Sequence, residues 1–315
     1  MSKRSRTADG SAELRVTRSL RAIAAAVALG CAPIAFGGPD CRTLSESNEL
    51  PRELVESSGV VVAHRDRGVF WTHNDDGSGL FAIDREGAIR ASYRIRPPLR
   101  DWEDIAAGFC APHGTCLYLA DTGDNEERRR AGDARIVRVP EPDPRSTTGG
   151  RSAVDGEVFP IRLPDGPRDI EALFVLPGER PYFVTKGRNH AVTVYRYPPP
   201  LRPDTVTLVE VQRLGSGPVG LGDQVTGASE SLDGETIAIR TYQAVEFFRL
   251  AGDTLARIDD GLVNLRTLRE SQGEGIGLGP DGLVVLTSEG GPFGGSPAMT
   301  LLRCIDLARA STISP

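Results

Sequence analysis

The apolar residues of this chain fall in short runs, and five of those runs share one approach. "VESSGVVVA" from Val55, "DWEDIAAGF" from Asp101, "DIEALFVLP" from Asp169, "QVTGASESLDG" from Gln224 and "SQGEGIGLGPDG" from Ser271 each put a polar or acidic residue ahead of small and aliphatic ones. Glu56, Glu103, Glu171, Thr226 and Glu274 align, at intervals of 47, 68, 55 and 48 residues. A second run follows each: "GVFWTHNDD", "CLYLADTGDN", "PYFVTKGRN", "ETIAIRTYQ" and "LVVLTSEGG". A third follows in turn, "GLFAIDREG", "ARIVRVPEP", "AVTVYRYPP", "AVEFFRLAGD" and "AMTLLRCIDL", several with the period-2 alternation of half-buried strands. Repetition near the length of a four-stranded unit predicts an all-β fold, a β-propeller of five blades.

The fifth copy ends soon after its third strand, so the fourth must come from elsewhere. Residues 43–55, just before the first copy, are the natural donor, and such closure leaves no unpaired sheet edge. The 68-residue interval holds a polar insert from Glu126 to Arg151, expected to be an exposed loop. If that insert folds as an extra blade, a ring of six is the alternative. In a propeller the innermost strands face a common axis, so Glu56, Glu103, Glu171 and Glu274 are expected to converge at one mouth of the channel.

Composition agrees with many short strands: 36 glycines and 23 prolines in 315 residues, with no long amphipathic segment of helical period. The N-terminus differs. Five arginines between Arg4 and Arg21 precede the apolar run Ala22–Phe36, a pattern expected of a signal peptide over residues 1–37. The run is too short for a comfortable membrane span. "ALGC" ending at Cys31 is an alternative lipid-attachment motif. A propeller over residues 38–306 and a tail over 307–315 complete the expected organisation. Removing residues 1–37 takes away six basic and two acidic residues and moves the formal charge from −6 to −10, which disfavours nucleic acid and anionic membranes as partners. The expected state is an exported monomer, in the periplasm, at the cell surface or secreted. Four cysteines remain, an even number suited to an oxidising compartment. "CAPHGTC" reads as a hairpin that pairs Cys110 with Cys116, leaving Cys41 and Cys304 to lock the ring.

Four carboxylates around one channel repel one another unless something neutralises them. Calcium suits several hard oxygen ligands, with Asn74 and Asp75 of "HNDD" as additions to Glu56, Glu103, Glu171 and Glu274. The acids can equally pair with basic side chains or cap backbone amides. "DTGDNEE" from Asp121 lacks full EF-hand spacing and reads as an Asx-rich turn. Lys186 is the sole lysine besides Lys3, in a chain whose 37 basic residues are otherwise arginine. A compact charge of tunable pKa suits catalysis or oxyanion binding. Arg240 and Tyr242 end the corresponding strand of the next copy, so the three are expected to form a cationic arc. His73 is the candidate general base. No G-x-S-x-G, H-E-x-x-H or C-x-x-C occurs, which disfavours serine-elbow hydrolases, zincins and thioredoxin-type enzymes.

"DWEDIA" at 101–106, "GDN" at 123–125, "VTG" at 225–227 with "RTY" at 240–242, and "QGEGI" at 272–276 resemble a family of exported bacterial propeller proteins of poorly defined function, over most of residues 54–306. More remotely, an acidic channel mouth is similar to that of the calcium-dependent gluconolactonase-type propellers and of the propeller phytases. That resemblance implies a divalent cation on Glu56, Glu103, Glu171 and Glu274. The expected function is binding of a cation and a small, anionic ligand at the mouth, with calcium-dependent hydrolysis of an ester, lactone or phosphoester. The alternative is a non-catalytic extracytoplasmic scaffold for a protein or glycan.

Overall fold

The computed structural model describes residues 40–44, 47–145, 152–291 and 295–304, so the expected leader, the Cys31 motif and the C-terminal tail lie outside the described residues. Five blades are arranged around a ring, and among the described residues the only helix is in short 3₁₀ turns. No helix among the described residues is long and apolar enough to cross a membrane. The innermost strands are Ser57–Val62, Trp102–Cys110, Ile170–Leu176, Val225–Glu230 and Gln272–Leu278. Each is followed by antiparallel strands in sequence order, because short Gly- and Asp-rich turns allow only that pairing.

Closure follows the expected route. The fifth blade takes Leu283–Glu289 and Ala298–Cys304, and its outer edge is completed by Cys41–Thr43 and Asn48–Glu49, both antiparallel to Ala298–Cys304. Cys41 pairs directly with Cys304 across that ladder, and the two are disulfide-bonded, as are Cys110 and Cys116. Two disulfides are what a chain folded outside a reducing cytoplasm carries.

The described part of the insert contributes Ala134–Pro140 to the second blade, and among the described residues there is no sixth blade. Ser152–Asp155, which follows the insert, lies parallel to Ile89–Arg96 as a fifth strand on the outer edge of the first blade. Val206–Thr207 adds to the second blade in the same way, parallel to Glu157–Arg162. Exposed outer strands offer unpaired backbone groups, and these neighbouring segments cover them.

The core is divided by seam rather than pooled. Trp71, Trp102 and Leu119 pack between the first and second blades. Tyr118, Phe183 and Tyr195 pack between the second and third, and Phe174, Tyr182 and Phe248 between the third and fourth. Phe247, Ile276 and Leu286 fill the next seam, and Phe70, Val60 and Leu301 the closing one. Strands with both faces packed read as unbroken apolar runs, which is why the innermost segments lack alternation.

Close to the axis, side chains give way to backbone. A Cβ on Gly59 would lie 2.8 Å from the Cα of Asp104, and one on Gly275 would lie 2.3 Å from the carbonyl of Ser58. Neighbouring innermost strands therefore touch directly at this level. Asp104 occupies the space they leave.

Candidate functional site at the channel mouth

Every innermost strand carries a β-bulge near its start, between Ser57 and Val60, Trp102 and Asp104, Ile170 and Ala172, Val225 and Gly227, and Gly273 and Ile276. A bulge inserts an unpaired residue and re-aims its side chain. The residues so placed are Ser58, Glu103, Glu171, Thr226 and Glu274. Glu56 is not among them: it lies two positions earlier, exposed, on an outer tier shared with Asp101, Asp169, Gln224 and Gln272. The alignment that put it in the ring slips because Ser58 has no charge to mark its place.

Two tiers of acids thus meet between the second and third blades. Carboxylate oxygens of Glu103, Asp169 and Glu171 lie within 4.8 Å of one another, and all three residues are buried. Lys186 is the ammonium among them, with Nζ 2.6 Å from Glu171 and 3.9 Å from Asp169. Burial pulls the lysine pKa down, but Glu171, Tyr242 and Asp169 outweigh it and hold the group above its ordinary value. The lysine is therefore charged, while burial, with the charges of Asp169 and Glu274, pushes Glu171 well above its ordinary value despite the ammonium beside it. Glu103 has no such partner, and burial with the charges of Glu171 and Asp101 pushes its pKa well up. Asp101 lies beside it, and burial raises that carboxyl as well. Gly123 makes room for Glu103, since a Cβ there would lie 2.0 Å from Glu103 Oε1.

A second group of acids faces this one from the fifth and first blades. Gln272 Nε2 donates to Glu274 at 2.8 Å and to Glu289 at 2.9 Å. Burial raises Glu274 to about 7, and burial together with Glu274 and Asp75 raises Glu289 to about 8. Burial, with Glu56 and Asp101 nearby, raises Asp75 to about 6. The Oδ1 atoms of Asn74 and Asp75 are buried without a partner among the described residues, while Asn74 Nδ2 donates to the Glu53 carbonyl. Tyr242 sits between the groups, its phenol raised by burial and by Glu274. Beside Tyr242 opens a cleft of about 510 Å³.

Two of the expected site residues, Arg240 of the arc and the candidate base His73, do not reach the mouth. Arg240 turns away from Lys186 and is spent on the architecture, donating to Glu270 at 2.5 Å and to the carbonyls of Gly275 and Thr287 at 2.7 and 2.9 Å. His73 is sealed beneath the mouth, stacked on Trp102 at 4.1 Å, with Nδ1 2.9 Å from the Asn74 carbonyl. Burial drops its pKa to about 4, so it is neutral and without access to bulk water. Asp124 caps the backbone N–H groups of Arg128 and Arg129 at 2.8 and 2.7 Å, as an Asx turn does. Asp169, Asp101 and Glu289 were missed by the repeat alignment. The matching D-x-E of "DWE" and "DIE" was the available signal for the first two.

The acids make a clear statement about pH. Asp75, Glu274 and Glu289 hold protons that the unfolded chain releases near pH 4, as do Asp104 and Glu230, both raised to about 8 by burial. Between about pH 4 and 8 the folded state binds more protons, so its stability falls as pH rises. His73 and His64, both lowered by burial, work the other way below about pH 6.5, as two groups against five. Urea denaturation should find the protein more stable at pH 5 than at pH 8 by at least ~3 kcal/mol, since one pKa unit corresponds to about 1.4 kcal/mol. A flat or rising profile would contradict the burial of these acids.

No family model matches the chain, and no curated protein matches it in sequence. Among solved structures, the chain is similar to the PQQ-bound aldose sugar dehydrogenase of Streptomyces coelicolor, at 10% identity and a TM-score of 0.51, over 84% of this chain and 98% of that one. A streptogramin B lyase aligns at 13% identity and a TM-score of 0.41, covering 82% and 96%. A putative gluconolactonase aligns at 16% and 0.37, covering 84% and 92%. At 10% identity the likeness to the sugar dehydrogenase is one of fold alone.

Proposed function

We propose that this chain is a small-molecule-binding propeller, in which Glu103, Asp169 and Glu171 take a divalent cation and Lys186 and Tyr242 hold an oxyanion of the ligand beside it. The observation that carries this reading is one ammonium among three buried carboxyl groups within 4.8 Å. Hard carboxylate oxygens with room kept by Gly123 fit calcium, which takes six to eight oxygen ligands and fills the remaining positions from backbone, water or substrate. Once bound, the cation would polarise a carbonyl or phosphoryl oxygen. Glu274, with a pKa near neutrality, is suited to accept a proton from water. Tyr242 is placed to donate to a leaving oxygen. The reaction class this supports is hydrolysis of an ester, lactone or phosphoester.

A second reading rests on the 2.6 Å Lys186–Glu171 pair: the cluster neutralises itself, and the propeller is a scaffold whose partners bind its loops. Calorimetry decides between them. Calcium should bind the native protein with release of a proton from Glu103, whose pKa burial pushes well up, seen as a dependence of the heat on buffer ionisation. Glu103→Gln should weaken binding at least tenfold. If millimolar calcium produces no heat and a chelator leaves Tm unchanged, the scaffold reading stands. Aryl esters, lactones and phosphoesters are the substrates to screen once binding is seen.

A further inference from the structure

The 510 Å³ cleft beside Tyr242 lies between the fourth and fifth blades and runs outward from Gln272 to the rim at Leu221. Its size is that of an ordinary small-ligand pocket. Its charge is opposite to the rest of the mouth. Glu270, the acid in its wall, is cancelled by the buried Arg240 guanidinium 2.5 Å away. Arg266 and Arg269 remain. Arg266 is oriented by Gln243 Oε1, which accepts from its Nε at 2.8 Å. Arg269 is exposed and makes no ion pair among the described residues. Its backbone is left-handed, with φ 54° and ψ 37°, an uncommon conformation for a side chain of this size. Leu221 stands at the rim with 72% of its surface exposed.

We propose that this cleft seats the non-reacting end of the ligand, and that this end is a carboxylate or phosphate joined to the reacting group by an apolar segment. Arg269 and Arg266 hold the anion, and Leu221 and the face of Tyr242 hold the segment. The proposal names the substrate class of the reading above and rests on it for the position of the reacting group. Arrangement of the two charges gives direction: the ligand lies with its hard oxygens toward Glu103 and its anion toward Arg269, and a neutral ligand of the same shape gains nothing from the arginines.

The test uses 3-phenylpropionate and its neutral counterpart 3-phenylpropanol, titrated by calorimetry or ligand-observed NMR into the full chain. The acid should bind the native protein more tightly than the alcohol, and less tightly as salt rises. Arg269→Asn, whose side chain tolerates the left-handed backbone, should weaken the acid at least tenfold and leave the alcohol unchanged. The same change at Arg213, exposed on the outer strand of the third blade and outside the cleft, should leave acid binding within twofold. Acid binding that ignores Arg269→Asn, or no acid binding at 20 mM, overturns the cleft whatever calcium does. Loss on Arg269→Asn in a protein that binds no calcium sustains the cleft and removes the cation reading instead.

Discussion

Asp104→Ala should remove about 3–6 kcal/mol of folding stability, the largest effect expected of any single substitution in this protein. Its Oδ2 accepts the N–H of Leu173 at 2.9 Å and of Ala228 at 3.0 Å, and its Oδ1 accepts that of Ile105 at 2.8 Å. These donors come from the third, fourth and second blades, so one side chain fastens three innermost strands across the axis. Leaving a buried N–H unsatisfied costs about 1–3 kcal/mol, and alanine leaves three. The sum is comparable with the whole stability of an ordinary domain. Asp104→Asn keeps an acceptor oxygen and should lose only about 1–2 kcal/mol, while removing the charge that makes stability fall toward pH 8. Urea denaturation of both variants at pH 5 and 8 measures this. An alanine variant within about 1 kcal/mol of the native protein would mean that the five blades hold together without the central carboxylate.

Lys186→Met should destabilise the protein by about 3–5 kcal/mol at pH 8, because it strands the buried Glu171 carboxylate 2.6 Å from where its partner stood. Glu171→Gln should cost a similar amount, and the double variant should recover part of both losses, the signature of a directly interacting pair. At pH 5 the loss should shrink, since burial raises Glu171 and Glu103 well above the ordinary carboxyl range and a protonated Glu171 no longer needs the ammonium. Calcium separates architecture from chemistry. If the cluster is a cation site, millimolar calcium should restore part of the stability of Lys186→Met, with the ion standing in for the lost ammonium. Strong destabilisation that calcium does not relieve, in a protein that binds no ligand, would leave Lys186 as a purely structural counter-charge.

The repeat was legible because it is local. An acid before an aliphatic run, five times over, marks the innermost strands whatever the rest of the chain does, and hairpin turns set the order of the strands behind them. Cys41 and Cys304 could be paired from sequence because a ring brings its ends together. The D-x-E of "DWE" and "DIE" even carries both tiers of the acidic cluster. What sequence spacing could not supply was register. Ser58 belongs to the bulge ring and Glu56 does not, a difference of two residues that only the pairing of Ser57 with Asn74 decides.

Partnership was decided still further from sequence. Arg240 lies two residues from Tyr242, yet its guanidinium turns to Glu270 in the adjoining loop, and the strand after the insert joins a blade completed some sixty residues earlier. His73 reads as a strand-end base until Trp102 of the next blade closes over it. Asp104, in the most conspicuous motif of the chain, is 124 residues from one of the amides it holds. Periodicity is a property of neighbouring residues, so the blades could be read from the chain alone. Which side chains fill a channel depends on five strands arriving together, and only the closed ring determines that.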